Sequence, residues 1–70
     1  MIYSVVAYFD LDLEKFNPPM IAPMSEEQAE ESIIDGVRKG KVEGAESFKA
    51  FYFGSFDTAT GKFNLLEKPK

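Results

Sequence analysis

Two phenylalanines flanked by lysines are the residues best suited to recognition chemistry in this chain. Phe51 and Phe53 alternate along one run, with Lys49 before them and Lys62 further on. Aromatic rings stack on nucleobases and lysines contact phosphates, so this spacing indicates a platform for single-stranded nucleic acid. Aromatic residues on a strand are more often core or dimer interface, and a net charge of −4 favours that alternative.

A second basic group lies in the middle of the chain, where Arg38, Lys39 and Lys41 follow one another closely. The segment from Gly36 to Lys41 has some character of a phosphate-binding loop. It is one residue too short, has no Ser or Thr after the lysine, and follows no predicted strand. We therefore interpret it as the end of a helix, with three cations that form a local basic patch.

Catalytic and metal chemistry have little support. The chain contains no His and no Cys, which removes the usual general base and thiol nucleophile and leaves carboxylates as the metal ligands. Asp10, Asp12 and Glu14 alternate as at the start of a calcium loop. That loop requires Gly at its sixth position and Glu at its twelfth, where Lys15 and Ile21 stand. The sequence therefore predicts no enzyme activity, no metal site and no cofactor.

The length of 70 residues predicts one domain, 1–70, with a small core. A core of this size seldom supplies more than about 3–5 kcal/mol without disulfides, a metal or a partner subunit. Because disulfides are excluded, we expect a homo-oligomer and favour a dimer. The first nine residues have no positively charged region and no cleavage site, so we expect neither a signal peptide nor a membrane segment.

Three strands and one helix are predicted to position these residues. Residues 2–9, 47–56 and 62–67 are rich in β-branched and aromatic residues, and the last two flank a turn at 57–61 that predicts a C-terminal β-hairpin. Residues 10–23 contain three of the four prolines and predict an extended connection, which Phe16, Met20 and Ile21 are expected to anchor to the core.

The helix has clear signals at both ends. Ser25 and Gln28 form a capping box, and Gly40 ends the helix after Arg38 and Lys39. One apolar stripe faces the sheet, formed by Ala29, Ile33, Ile34 and Val37. We expect Gly36 to permit close packing of the helix against the sheet.

The fold class is thus predicted as α+β, a small antiparallel three-stranded sheet in the order β-loop-α-β-β with one helix on one face. Simple alternation divides the second strand into two sets. One face carries Phe48, Ala50, Tyr52, Gly54 and Phe56. The other carries Lys49, Phe51, Phe53 and Ser55. One helix cannot cover both faces, so the second face is expected to meet DNA or another subunit.

Several motifs resemble a known family. Pro18-Pro19 with Ala22-Pro23, the helix at 29–37, and Gly54-Ser-Phe-Asp57 with Thr60-Gly61 occur in the order found in the small nonstructural protein of gokushoviruses, single-stranded DNA phages of the microvirus family. The resemblance spans nearly the whole chain. It implies a DNA-binding protein of the infected bacterium's cytoplasm that acts in viral single-stranded DNA synthesis or its coupling to packaging, with no catalytic residue.

Two functional hypotheses follow. In the first, the protein contacts single-stranded DNA, a phage or host replication protein, or both. The residues expected to contact DNA are Arg38, Lys39, Lys41, Lys49, Phe51, Phe53 and Lys62. In the alternative, the protein is a homodimeric module that docks replication or packaging proteins without touching DNA. A third hypothesis, that the protein is an acidic mimic of DNA, is disfavoured because the acidic residues concentrate on one helix and are not spread along the chain.

Overall fold

The strands form one antiparallel sheet, and a single helix lies against it. The computed structural model describes all of residues 1–70. Its elements are β1 (Ile2–Asp10), β2 (Lys15–Phe16), β3 (Met20–Ala22), helix α1 (residues 26–38), β4 (Phe48–Asp57) and β5 (Lys62–Leu65). The strand order is β2-β1-β4-β5, and β3 also pairs with β1. The predicted α+β class with one helix is confirmed, but the predicted three strands are too few.

The two additional strands come from the connection that was predicted to be only extended. Phe16 of β2 pairs with Phe9, and Ile21 of β3 pairs with Val5, so both short strands lie on the same edge of β1. Pro18 and Pro19 separate them, because proline has no N–H to donate to a ladder. Ile21 is 66% exposed. The expectation that it anchors this segment in the core is therefore wrong.

Helix α1 begins as predicted and has an unexpected centre. Ser25 Oγ accepts from the Gln28 N–H at 3.3 Å, and Gln28 Oε1 accepts from the Ser25 N–H at 3.0 Å, which completes the capping box. The segments Glu26–Ala29 and Asp35–Arg38 are α-helical, while Glu30–Ile34 between them has the wider π-helical hydrogen bonding. The helix is nevertheless continuous.

The end of α1 is closed by a Schellman motif. The Gly40 N–H donates to Val37 O at 3.2 Å, and the Lys41 N–H donates to Gly36 O at 2.9 Å. Gly40 has φ +67°, a conformation that glycine adopts without steric cost. The predicted stop after Lys39 is therefore confirmed. A Cβ on Gly36 would meet Val42 Cγ2 at 3.2 Å, so Gly36 packs against the following loop and not against the sheet, contrary to expectation.

The core lies between α1 and one face of the sheet. Ala29 and Ile34 of the helix meet Val6, Ala50 and Tyr52 of the strands, and the predicted apolar stripe is confirmed because Ile33 and Val37 pack against this cluster. Only nine of the 70 residues are buried, so the core is small for the length of the chain. No helix in the structure combines the length and apolar character that a membrane crossing needs.

The edge of β4 that faces away from β1 is covered by several segments. The last four residues of β4 pair with β5. Beyond β5, the Leu66 N–H donates to Phe53 O at 2.9 Å, and Lys70 exchanges two backbone hydrogen bonds with Tyr52, at 2.9 and 3.0 Å. These contacts satisfy backbone groups that an open edge would leave free for pairing with another chain.

A β-bulge in β4 changes which side chains share a face. Val6 lies opposite Tyr52 and Val5 lies opposite Gly54, so Phe53 is an extra residue on β4. Strict alternation places Phe56 beside Tyr52, on the face toward α1. Because of the bulge, Phe56 instead lies opposite Tyr3, on the other face. The predicted grouping of Phe56 with Tyr52 is therefore wrong.

Gly54 is required where the bulge meets β5. Its φ is +150°, and a Cβ built there would lie 2.3 Å from Asn64 O and 2.8 Å from Leu65 Cα. Both obstacles are backbone atoms that cannot move aside as a side chain does. A side chain at this position would therefore push β5 away from β4.

Candidate nucleic-acid interface

The sheet surface opposite α1, here called the outer face, collects most of the aromatic residues. Residues directly opposite each other in antiparallel strands point to the same side, so the strand pairing assigns this face. It carries Tyr3, Val5, Ala7, Phe9, Phe16, Ile21, Lys49, Phe51, Phe56, Phe63 and Leu65. The Phe53 ring joins them because it contacts Phe16. Six of the seven phenylalanines therefore share one surface, and Phe48 lies on the other side.

Phe16 is the centre of a cluster of four rings. Its ring centroid lies 5.0 Å from that of Phe9, 5.8 Å from Phe51 and 5.6 Å from Phe53, and each pair has an edge-to-face geometry. This geometry is the favoured one for aromatic pairs. Phe16 is still 48% exposed, so the centre of the cluster is open to solvent.

A second aromatic pair extends the outer face toward β5. The rings of Phe56 and Phe63 lie 5.3 Å apart, and the Phe63 side chain is exposed. Phe63 lies opposite Phe56 in the β4–β5 register, and the bulge places this pair on the outer face. The exposed aromatic surface therefore runs across four strands, from β2 to β5.

Between the two aromatic groups lies an apolar hollow of about 320 Å³. Phe16, Pro19, Phe53 and Leu65 line it together with the small strand residues Val5 and Ala7 of β1. Asn17 is the one lining residue with a polar side chain. The surface exposed in the hollow is nevertheless almost entirely apolar.

The outer face carries almost no charge, although the chain is acidic. Lys49, which pairs with Phe9, is its one charged residue, and no carboxylate belongs to the set. Asp10 lies opposite Phe48 and Asp57 lies opposite Ile2, both on the side toward α1. The remaining acids lie on the helix, in the connections and near the C-terminus. A polyanion on the outer face would therefore meet no facing carboxylate.

The structure brings together three of the seven residues predicted to contact DNA: Lys49, Phe51 and Phe53 all belong to the outer face. Lys62 pairs with Asp57, whose partner on β1 is Ile2, so Lys62 is assigned to the side toward α1.

The remaining three predicted residues lie at the end of α1. Arg38 Nη2 donates to Ala50 O at 3.1 Å, and Lys39 forms an ion pair with Asp35 at 3.2 Å. Lys41 is exposed in the following connection. These three cations lie on the helix side of the sheet, so they do not form one patch with Phe51 and Phe53.

Sequence reasoning missed several residues of the outer face. Phe16 was assigned to a loop, and Phe56 was assigned to the wrong side of the sheet. Phe63 carried a usable signal, because it lies between Lys62 and Asn64 in a predicted strand. No comparable signal marks the bulge, so simple alternation could not assign Phe56 to the correct face of the sheet.

On the helix side, a smaller pocket of about 260 Å³ lies between the end of α1 and β1. Tyr8, Val37, Val42 and Phe48 contribute to its lining. Burial raises the pKa of the Tyr8 phenol above its ordinary value of 10.0, which keeps the hydroxyl neutral. No group of three or more Asp or Glu residues is arranged to hold a metal ion.

Comparison with known proteins found no matching protein-family model, no matching curated protein and no matching solved structure. A function for this chain therefore depends on the outer face and on the sequence motifs.

Proposed function

We propose that this protein is a non-enzymatic, single-stranded DNA-binding protein that acts through its outer face in viral DNA synthesis or its coupling to packaging. The observation that carries the proposal is the outer face itself, where six phenylalanines and Lys49 lie together without a carboxylate. The motif resemblance to the gokushovirus nonstructural protein supports the viral setting and the host bacterial cytoplasm as its location.

The physical basis of the proposal is stacking. Every base has a π-face, and stacking on an aromatic side chain contributes about 1–3 kcal/mol per base without regard to sequence. Phe16 and Phe63 are both about half exposed and lie in different parts of the face, so more than one base has a ring to contact. The acidic residues of the chain lie outside the outer face, so they do not repel the phosphates of DNA that is bound there.

Salt dependence distinguishes the outer face from the basic residues predicted by sequence. For single strands, the logarithm of the binding constant falls with the logarithm of salt concentration by about 0.7 for each phosphate neutralised. Binding through Lys49 alone gives a slope of about −0.7. Binding through all five predicted cations gives a slope of about −3.5. We expect the shallow slope, because Arg38, Lys39, Lys41 and Lys62 are not on the outer face.

The experiment is a titration of labelled single-stranded oligonucleotide with the full chain at several salt concentrations. We expect Phe63→Ala to weaken binding at least fivefold, because it removes an exposed ring whose loss leaves the core intact. Lys41→Ala is the matched control and should have little effect. An absence of binding at low salt would contradict the proposal, and a steep slope that Lys41→Ala makes shallower by about 0.7 would move the site to the helix end.

A homodimeric interaction module is the second candidate, and a specific observation favours it. The core contains few buried residues, whereas Phe63 and Leu65 on the outer face are 59% and 61% exposed. Burying apolar surface contributes roughly 25 cal/mol per Å², so a second copy covering this face would add stability that the small core lacks. The dimer would then dock a phage or host replication or packaging protein through other surfaces.

Light scattering over a range of concentrations tests this candidate. A dimer that dissociates when Phe63 is changed to Ser, together with no binding of oligonucleotide, favours the interaction module. A monomer at all concentrations that binds DNA favours the leading proposal. Circular dichroism of Phe63→Ser provides the control for folding, since this side chain is mostly exposed.

A further inference from the structure

We infer that the free edge of β5 is a pairing site for a second copy of this chain, through which two copies join their sheets about a two-fold axis. The surface that meets the second copy is the edge of the sheet and not its outer face. The inference therefore does not depend on the proposed binding of DNA, and a dimer of this kind leaves the outer face of each copy open.

The backbone of β5 has unused hydrogen-bonding groups on one side. β5 ends the strand order and pairs with β4 alone. In an antiparallel ladder, alternate residues direct their N–H and C=O groups to opposite edges of the strand. The Leu66 N–H donates to Phe53 O at 2.9 Å, so in the same register the backbone groups of Asn64 also point toward β4. Those of Phe63 and Leu65 point away from the sheet.

The two edges of the sheet differ in how well they are protected. The edge beyond β1 is formed by the short strands β2 and β3, which Pro18 and Pro19 separate. Proteins commonly protect an edge with proline, a charged side chain or a bulge. Residues 63–65 have none of these, and Lys62 at the turn is the one charged residue of β5. All four residues of β5 are exposed, so this edge is open to another strand.

A second copy fits this edge because the segment is complementary to itself. If Phe63 lies opposite Leu65 of the second copy, and Leu65 opposite its Phe63, the outward backbone groups of both copies form four hydrogen bonds. Residues that lie opposite each other share a side of the sheet, so these side chains, 59% and 61% exposed, would cover each other. An unrelated extended segment could form the same backbone bonds, but it would match both side chains only by repeating their spacing.

The charges also favour a second copy in this antiparallel arrangement. The chain has a net charge of −4, so two copies repel each other overall, but residues 62–66 contain no carboxylate. In the antiparallel pairing, each Lys62 lies opposite Leu66 of the second copy, and Asn64 lies opposite Asn64. A parallel pairing in register would instead bring Lys62 against Lys62, which is destabilising.

The experiment is sedimentation equilibrium of the full chain over a range of concentrations. Leu65→Pro removes an N–H that β4 does not use, and proline is tolerated in edge strands where the N–H faces solvent. Leu65→Ala is the matched control, because it loses the same side chain and keeps the N–H. Ile21→Ala tests the outer face, since Ile21 is 66% exposed there and lies in β3, at the other edge of the sheet.

We expect the wild-type chain to dimerise, with a dissociation constant at least tenfold higher for Leu65→Pro than for Leu65→Ala, because two hydrogen bonds between the copies are lost. Ile21→Ala should leave the constant within about twofold of the wild type. Hydrogen exchange of the wild type gives a second measurement. The Phe63 and Leu65 amides should gain protection as the concentration rises, whereas the Asn64 amide should be protected throughout. This measurement decides if Leu65→Pro fails to fold by circular dichroism.

Three outcomes overturn the inference. The first is a chain that stays monomeric at every concentration. The second is an equal dissociation constant for Leu65→Pro and Leu65→Ala, and if Ile21→Ala weakens that dimer, the copies meet through the outer face. The third is exchange of the Phe63 and Leu65 amides that does not depend on concentration. None of these measurements contains DNA, so a failure of the dimer and a failure of the proposed function are distinguishable.

Discussion

The ring of Phe16 lies edge-on to the ring of Phe53, with centroids 5.6 Å apart. One residue belongs to a two-residue strand in the Pro-rich segment, and the other is the extra residue of the β4 bulge. The contact therefore joins the two features of the sheet that depart most from simple alternation. Phe16 and Phe53 also line the apolar hollow of the outer face.

Replacing Phe16 with Ala should lower the free energy of unfolding by about 1–2 kcal/mol, because three edge-to-face contacts are lost from a half-exposed ring. Urea denaturation measures the change. Ile21→Ala on the same face is the control and should change stability by less than about 0.5 kcal/mol. Equal effects of the two substitutions would mean that the ring contacts do not stabilise the sheet.

Gly54→Ala should lower the free energy of unfolding by about 3 kcal/mol or more, since the new Cβ would collide with the backbone of β5. Hydrogen exchange should show lost protection across β5. Gly40→Ala separates the collision from the cost of a positive φ, because Gly40 has φ +67° and no atom within 4 Å of its built Cβ. We expect that control to cost about 1–2 kcal/mol. If Gly54→Ala is as stable as Gly40→Ala, the β5 backbone does not lie close to the Gly54 Cα.

Ser4→Ala should reduce stability by about 1–2 kcal/mol. Ser4 is fully buried, and its hydroxyl donates to Met24 O at 2.7 Å, so the substitution leaves that carbonyl without this donor. Ser55 lies directly opposite Ser4 and is partly exposed, which makes Ser55→Ala the matched control with an effect within about 0.5 kcal/mol. The prediction is contradicted if thermal or urea unfolding gives the same loss for both serines.

The Tyr8 phenol should make the fold less stable in alkali. Burial raises its pKa in the folded state above the ordinary value of 10.0. The folded state therefore retains the proton more tightly than the unfolded state, and the stabilisation is fully present below pH 10. It is lost as the pH rises through 10 toward the folded pKa. Urea midpoints measured across this range should fall more steeply for the wild-type chain than for Tyr8→Phe; parallel curves would exclude the effect.

The ends of α1 were predictable because they depend on local chemistry. Ser25 and Gln28 lie three residues apart, and Gly40 follows the last basic turn, so caps within a few residues determine where the helix begins and ends. The strands β1 and β4 were predictable within one residue, because long runs of β-branched and aromatic residues are strong signals.

The bulge was not predictable in this way. An extra residue in β4 is determined by its pairing with β1, which no local pattern encodes, and Gly54 was the sole hint in the sequence. The short strands β2 and β3 were missed for a similar reason, since they exist because β1 offers them an edge. Arg38 was assigned to DNA because sequence does not reveal that its guanidinium contacts the Ala50 carbonyl.

The bulge also makes the extent of the aromatic surface depend on a count of residues. Deleting Phe53 would remove the extra residue and keep the pairing of Tyr52 with Val6 and of Gly54 with Val5, so Phe56 would stay opposite Tyr3 on the outer face. If β4 instead alternated strictly at its full length, Phe56 would turn toward the helix together with Phe63, which lies opposite it in register. One unpaired residue in β4 thus determines on which side of the sheet this aromatic pair is presented.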